Sequence, residues 1–287
     1  MYDARMELPS RERGRFRHVP RLRTAVLAAA LACLGAASPN PARAAPSAPR
    51  DGPAAEETAR VKSVIDGDTL ALEDGRIVRL SGIMAPKPPL DAEAGRRWPL
   101  AERASAALRE LALGQEVRLV YAGPKSDRYG RLVAQVYRAD GTWLEGELLA
   151  QGLARVLTHK DDRALAAAML ERERAARDKR RGLWATRAFQ VLTPDETRRH
   201  LESFELVEGK VEQVTRSGGR EFLRMGQDAR SGFTAVLLPE SKHLFAAAGI
   251  APDSLAGRRV RVRGFIRWWR GPIIEVSYPE QLELLGP

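Results

Sequence analysis

Residues 61–83 read VKSVIDGDTLALEDGRIVRLSGI. Apolar and polar residues alternate on both sides of Asp66-Gly67 and again around Asp74-Gly75, and aspartate-glycine pairs between alternating runs are hairpin signals. The stretch therefore predicts a three-stranded meander: two short strands over residues 60–72 about the first turn, and a third over residues 77–83 after the second. Further along, Pro99 opens PLAERASAALRELALG, where Leu100, Ala104, Leu108 and Leu111 recur at helical spacing before Gly114. Residues 116–121 and 132–137 read as two more strands separated by the turn-rich GPKSDRYG. A short helix over 143–151 and a longer one over 163–181 follow, the latter with a thin apolar stripe of Leu165, Met169 and Ala176. Its Glu171-Arg172-Glu173-Arg174 run reads as a solvated face laced with i to i+4 pairs. Five short strands with one helix inserted and others appended point to an OB-type barrel, which closes its edges with few strands.

The second half begins after the polar TPDETRRHLES at 193–203. Strands are expected at 204–214, 220–225 and 233–238, a helix at 240–248, strands at 259–266 and 273–276, and an extended piece at 281–285. That order is again OB-like, so the fold class is mainly β with helices, built as two OB-type barrels over 60–185 and 204–287 with a linker at 186–203.

Composition sets the boundaries. At 287 residues, 44% hydrophobic and 29% charged, the chain is neither disordered nor a multi-span membrane protein in character. The net charge of +10 favours polyanionic partners, but half of it lies in residues 1–44, which hold eight basic and three acidic side chains. Within that segment TAVLAAALACLGAA, residues 24–37, is too short to span a bilayer. Preceded by Arg13, Arg15, Arg17, Arg21 and Arg23 and followed by Ala42-Arg43-Ala44, it has the form of a signal peptide cleaved before Ala45. Export to the periplasm or exterior is therefore expected, with no stable membrane insertion once the signal is gone. The sole cysteine, Cys33, would leave with the signal, which removes disulfides and thiolate metal sites from consideration. Residues 45–59, rich in proline and alanine, read as a flexible tether.

Four pieces carry the chemistry: Val64-Ile65-Asp66-Gly67-Asp68-Thr69, Val78-Arg79-Leu80-Ser81-Gly82-Ile83, Asp127-Arg128-Tyr129-Gly130-Arg131-Leu132 and Arg181-Gly182-Leu183-Trp184. In this order and spacing they resemble the thermonuclease, or staphylococcal nuclease-like, family over residues 60–185. The resemblance implies phosphodiester cleavage by a bound calcium, a carboxylate general base and two arginines. Calcium needs hard oxygen ligands, the attacking water needs a base, and guanidiniums stabilise charge developing on phosphorus. On this basis Asp68 matches a metal carboxylate, Asp66 an accessory acid, and Arg79 and Arg131 the two arginines.

The rest of the motif departs from the family. Its run R-L-x-G-I-D-A-P-E stands here as Arg79-Leu80-Ser81-Gly82-Ile83-Met84-Ala85-Pro86-Lys87. Met84 takes the place of a metal carboxylate and Lys87 that of the general base. A thioether is a poor ligand for a hard cation, and an ammonium opposes one. Attraction for phosphate survives, with Lys87 joining Arg79 and Arg131, so the expectation is nucleic-acid binding with weak or absent hydrolysis. No cofactor is assigned with certainty, and calcium would belong to the site if it is functional. Asp91 or Glu93 could rebuild an active nuclease from the following loop. A depressed-pKa Lys87 is a remoter base.

Among the remaining candidates, Tyr129 matches a family position near substrate but also suits a packing role on a turn. His18, His159, His200 and His243 are scattered without metal spacing. Arg259, Arg261 and Arg263 alternate with valines and so share a strand face, and Arg267-Trp268-Trp269-Arg270 makes a basic-aromatic tip. Cationic grooves with stacking platforms bind single strands, which makes Arg261, Arg263, Trp268 and Trp269 substrate-binding candidates; a water-facing row and a tryptophan cap are the structural alternative. Single-stranded nucleic acid is the expected partner. An envelope scaffold using both barrels for protein contacts is the reading from another class.

Overall fold

The computed structural model describes residues 55–88, 98–159, 161–226 and 232–286. The expected signal segment, Cys33, Asp91 and Glu93 lie outside the described residues. In chain order the strands of the first half are β1 (Ala55–Asp66), β2 (Thr69–Leu72), β3 (Ile77–Leu80), β4 (Ile83–Met84), β5 (Glu116–Tyr121), β6 (Leu132–Arg138) and β7 (Arg155–Val156). Its helices are α1 (Pro99–Ala112), α2 (Leu144–Ala150) and α3 (Ala166–Asp178). β1, β2, β3, β6 and β5 close into a barrel in that order. The tether expected up to residue 59 is corrected here: residues 55–60 are already strand, paired residue for residue with β5. Their contribution closes the barrel.

The turns explain the closure. Asp66 Oδ1 accepts the Asp68 amide at 3.0 Å, an aspartate turn that reverses β1 into β2. Gly67 is required between them because a Cβ there would lie 2.6 Å from the Ala104 side chain of α1 and 2.7 Å from that of Ala85. β3 then runs parallel to β6 with Arg79 opposite Val133, which brings the Arg79 strand beside the one that Arg131 immediately precedes. Leu70, Leu72, Val78, Leu80, Leu108, Leu119 and Val136 fill the interior, and each such burial contributes about 1.5–3 kcal/mol.

The second half is one seven-stranded sheet with β8 (Phe204–Ser217), β9 (Arg220–Met225), β10 (Phe233–Leu237), β11 (Arg259–Phe265), β12 (Arg267–Trp268), β13 (Pro272–Val276) and β14 (Leu282–Leu284). α4 (Lys242–Ala247) follows β10. The order is β12-β13-β10-β9-β8-β11-β14, a half-barrel with β12 and β14 at its edges rather than a second closed barrel. β8 is long enough to pair with β11 through residues 204–210 and with β9 through residues 211–217. The expected linker is packed. Thr193 and Glu196 form a capping box, and Leu192 hydrogen-bonds along β8 and enters the core of the second sheet.

A charged seam joins the two sheets. Arg263 of β11 is 3% exposed and its guanidinium reaches Glu173 of α3 at 2.9 Å and Glu283 of β14 at 2.6 Å. Glu173 is itself fully buried, accepts the Val156 amide at 2.6 Å and pairs with Arg177 at 3.1 Å. The solvated-face reading of Glu173 is thereby corrected. Burial pushes the Glu283 carboxyl up, but Arg263, Arg177 and Arg261 outweigh it and hold the group below its ordinary value. Arg155 to Glu205 at 3.2 Å and a two-pronged Arg163 to Glu280 contact at 2.8 Å extend the seam. Among the described residues no helix is long and apolar enough to cross a membrane.

Candidate phosphate-binding site

Asp68, in the turn just before β2, is fully buried and surrounded by donors. Its Oδ1 accepts from the Thr69 hydroxyl at 3.1 Å and from Lys87 Nζ at 2.9 Å. Its Oδ2 accepts the Ala85 amide at 2.7 Å and faces Arg79 Nη1 at 3.3 Å. A carboxylate offers about four lone-pair positions, and here three accept hydrogen bonds while Oδ2 also faces the Arg79 charge. Lys87 also ion-pairs with Asp66 Oδ2, so one ammonium bridges both acids assigned to a metal by resemblance. Burial raises the Asp66 carboxyl, yet the bonds from Lys87 and from the Asp68 amide prevail and keep it below the usual carboxylate range.

These residues do not fit a calcium ion. Such an ion takes roughly six to eight oxygen ligands, whereas the Asp68 carboxylate already accepts three hydrogen bonds and a cation stands between the two carboxylates. Met84 does not compensate: half-buried on β4, it packs against the apolar cluster of Ala176, Trp184, Phe204 and Leu206 between the barrel and the second sheet. Among the described residues no group of three or more His, Cys, Asp or Glu side chains could hold a metal.

The two arginines occupy different roles. Arg79 is largely engaged by the protein, donating from Nη1 to the Leu80 carbonyl at 2.9 Å and from Nη2 to the Ile83 carbonyl at 2.7 Å, with 17% of its side chain exposed. Arg131 is freer. It is held by Asp127, whose Oδ2 accepts from Nε at 2.8 Å and whose Oδ1 accepts the Tyr129 amide at 2.9 Å and the Arg131 amide at 3.1 Å. Asp127 thus shapes the turn and orients the guanidinium; burial raises its own carboxyl, and these bonds, led by that from Arg131, bring it below its ordinary value. Tyr129 stands out in solvent with Arg128 4.8 Å and Arg131 5.4 Å from its ring centroid.

The second-half candidates separate. The expectation that Arg261 and Arg263 line a nucleic-acid groove is corrected by their ion pairs. Arg263 lies inside the seam, and Arg261 reaches Glu208 at 2.6 Å and Glu283 at 3.1 Å, because β14 and β8 flank β11 with acids at the facing positions. Trp268 and Trp269 remain 54% and 51% exposed, so neither caps the barrel. Trp269 stacks on Phe222 at 5.7 Å and Arg198 covers Trp268 at 5.5 Å, a surface platform of rings and cations.

A closed five-stranded barrel with Arg79 of one strand against Asp68 and with Arg131 just before the neighbouring strand is an OB-like domain. Residues 77–186 match the family described as Staphylococcal nuclease homologue. An endonuclease of Escherichia coli, otherwise uncharacterised, is 34% identical over 130 residues, covering 44% of this chain and 76% of that protein. Thermonucleases of Staphylococcus intermedius and Staphylococcus hyicus are 31% and 29% identical over 134 and 136 residues, each covering 45% of this chain and 76% and 77% of themselves. The chain belongs to the staphylococcal nuclease homologue family.

Proposed function

We propose that this protein is an exported member of its family that binds single-stranded nucleic acid through the phosphodiester backbone and hydrolyses it weakly or not at all. The observation that carries the reading is the Lys87 ammonium bridging Asp66 and Asp68 where a metal would be needed. Arg79, Arg131 and Lys87 supply the phosphate contacts, and Tyr129 stands beside Arg131. The exposed Trp268 and Trp269 extend the surface as stacking platforms. Export is supported by the arginine-flanked apolar segment at 24–37 and the small-x-small site before Ala45.

The test is binding of a labelled single strand in chelator across a salt series, with a parallel cleavage assay in calcium. Affinity falls with salt, and Arg79→Ala with Arg131→Ala flattens the log-log slope by about 0.7 for each phosphate that is no longer neutralised. Calcium-dependent cleavage at roughly 1 per second or faster, a rate ordinary for enzymes, would overturn the binding reading in favour of an active nuclease. N-terminal sequencing that finds the segment from Arg21 to Cys33 intact in the envelope fraction would overturn cleavage before Ala45.

A further inference from the structure

A cleft of about 820 Å³ lies between the barrel and the second sheet. Pockets of roughly 300–1,000 Å³ accommodate small organic ligands of nucleotide size. One wall is cationic, lined by Arg79, Arg128 and Arg131; the other comes from the second sheet and carries Phe265 and Tyr278. Residues 204–287, which include that second wall, lie beyond the family match.

Three features make the second wall more than a neighbour. Phe265 ends β11 and remains 43% exposed, while its ring is fixed edge-on against Phe204 at 5.5 Å. An aromatic held at its edge and open to a cleft loses little freedom when a base stacks on it. Tyr278 is buried, donates its hydroxyl to the Thr158 carbonyl and has Arg163 5.9 Å from its ring, so the rim is tied to both sheets. The seam through Arg263, Glu173 and Glu283 fixes the separation of the walls without any ligand. Two of the acids lining the cleft are already engaged, Asp127 by Arg131 and Asp162 by the Ser81 hydroxyl.

We propose that this cleft is a preformed nucleotide subsite in which a phosphate of a single strand lies on the wall of Arg79, Arg128 and Arg131 and the adjoining base stacks on Phe265. The inference rests on the nucleic-acid reading above and adds a substrate-binding residue from the second sheet. Its test uses the purified protein and a short DNA single strand bearing one 2-aminopurine, whose fluorescence is quenched by stacking, in the presence of chelator. Binding to wild type quenches the probe. Phe265→Ala loses the quench and binds about 5- to 150-fold more weakly, the range for removal of one base-aromatic stack. Phe265→Tyr retains both properties. Phe265→Leu preserves apolar packing against Phe204 and the thermal midpoint but loses the quench, which separates stacking from folding. Unchanged quench and affinity in Phe265→Leu, with a flattened salt slope in the Arg79→Ala, Arg131→Ala protein, would overturn the subsite and leave nucleic-acid binding standing. Absence of any binding by wild type would overturn both.

Discussion

Replacing Lys87 asks whether an internal ammonium has displaced a metal. Lys87 Nζ stands 2.9 Å from Asp68 Oδ1 and pairs with Asp66. A dication about 4 Å from that nitrogen is repelled by about 2 kcal/mol at the dielectric of water and about 8 kcal/mol at an effective value of 20, twice the unit-charge figures. A millimolar site is worth only about 4 kcal/mol, so the repulsion cancels half or more of such affinity. Wild type should therefore show no change in thermal midpoint in about 10 mM calcium relative to a matched ionic strength. Lys87→Ala should be less stable without calcium. Charged hydrogen bonds contribute about 1.5–3 kcal/mol, and because 39% of the lysine side chain is exposed, solvent screening reduces this to about 1–2 kcal/mol, or about 2–8 °C. With Asp66 and one Asp68 lone pair released, about 10 mM calcium acting on a site of about 1 mM would restore about 1.4 kcal/mol. Scanning fluorimetry with calcium, magnesium and chelator reads both proteins. A calcium-specific, chelator-reversible rise of more than about 2 °C in wild type would refute the claim that the site is closed to metal.

Arg263→Ala should lower stability by about 3 kcal/mol or more, because it leaves the buried Glu173 short of a partner; urea unfolding reads the loss, and an unchanged unfolding midpoint would contradict it. Burial raises the Glu145 carboxyl well above its ordinary value even though its oxygens accept the Val136 amide at 3.1 and 3.2 Å. A raised folded pKa gives stability that is complete below the unfolded value of about 4.3 and is lost as pH rises toward the folded one. Glu145→Gln should therefore be increasingly the more stable protein from pH 5 to pH 8 in urea titrations, and a gap that shrinks with pH would contradict this sign. Trp268→Ala and Trp269→Ala should each weaken single-strand binding by about 1–3 kcal/mol with little change in thermal midpoint, since both rings are exposed; a stability loss with normal binding would assign them to packing against Phe222 and its neighbours.

The barrel was legible because its signals are local. Aspartate-glycine turns, period-two alternation and Pro99 with Gly114 mark elements whose residues need only their chain neighbours, and β2, β5, β6 and α1 fall where those signals place them. The strand extension at residues 55–59 was hidden because Ala55-Glu56-Glu57-Thr58-Ala59 has no apolar alternation; its order comes from pairing with β5, a partner some sixty residues away. The second sheet was legible strand by strand but not in its closure, since edge pairing is decided in space. For Glu173 the signal was present: Met169, Glu173 and Ala176 stand at i, i+4 and i+7, so a carboxylate lay on the apolar stripe. Such a placement demands a buried cation, and Arg263 is that cation. The same demand turned the alternating arginines of β11 from a groove into a seam, because the acids opposite them in β8 and β14 become visible only through the strand register. At the site, Asp66, Asp68, Arg79, Arg131 and the departures at 84 and 87 could be read off the motif, whereas Asp127 as the orienting partner of Arg131 and Phe265 as a cleft wall required geometry.

Those two departures differ in physical kind. Lys87 answers the carboxylates directly, pairing with both Asp66 and Asp68 across the turn that holds them. Met84 answers the second sheet, packing beside Phe204 and Leu206 of β8 and beside Trp184. An aspartate at 84 would meet that apolar cluster, and an unpaired buried charge is strongly disfavoured. Placing a carboxylate at 84 is therefore not a local change: it would weaken the apolar junction between the barrel and the second sheet. Without the lysine at 87, Asp66 and Asp68 would be short of a cation. Lys87 and Arg79 between them balance the charge of Asp66 and Asp68.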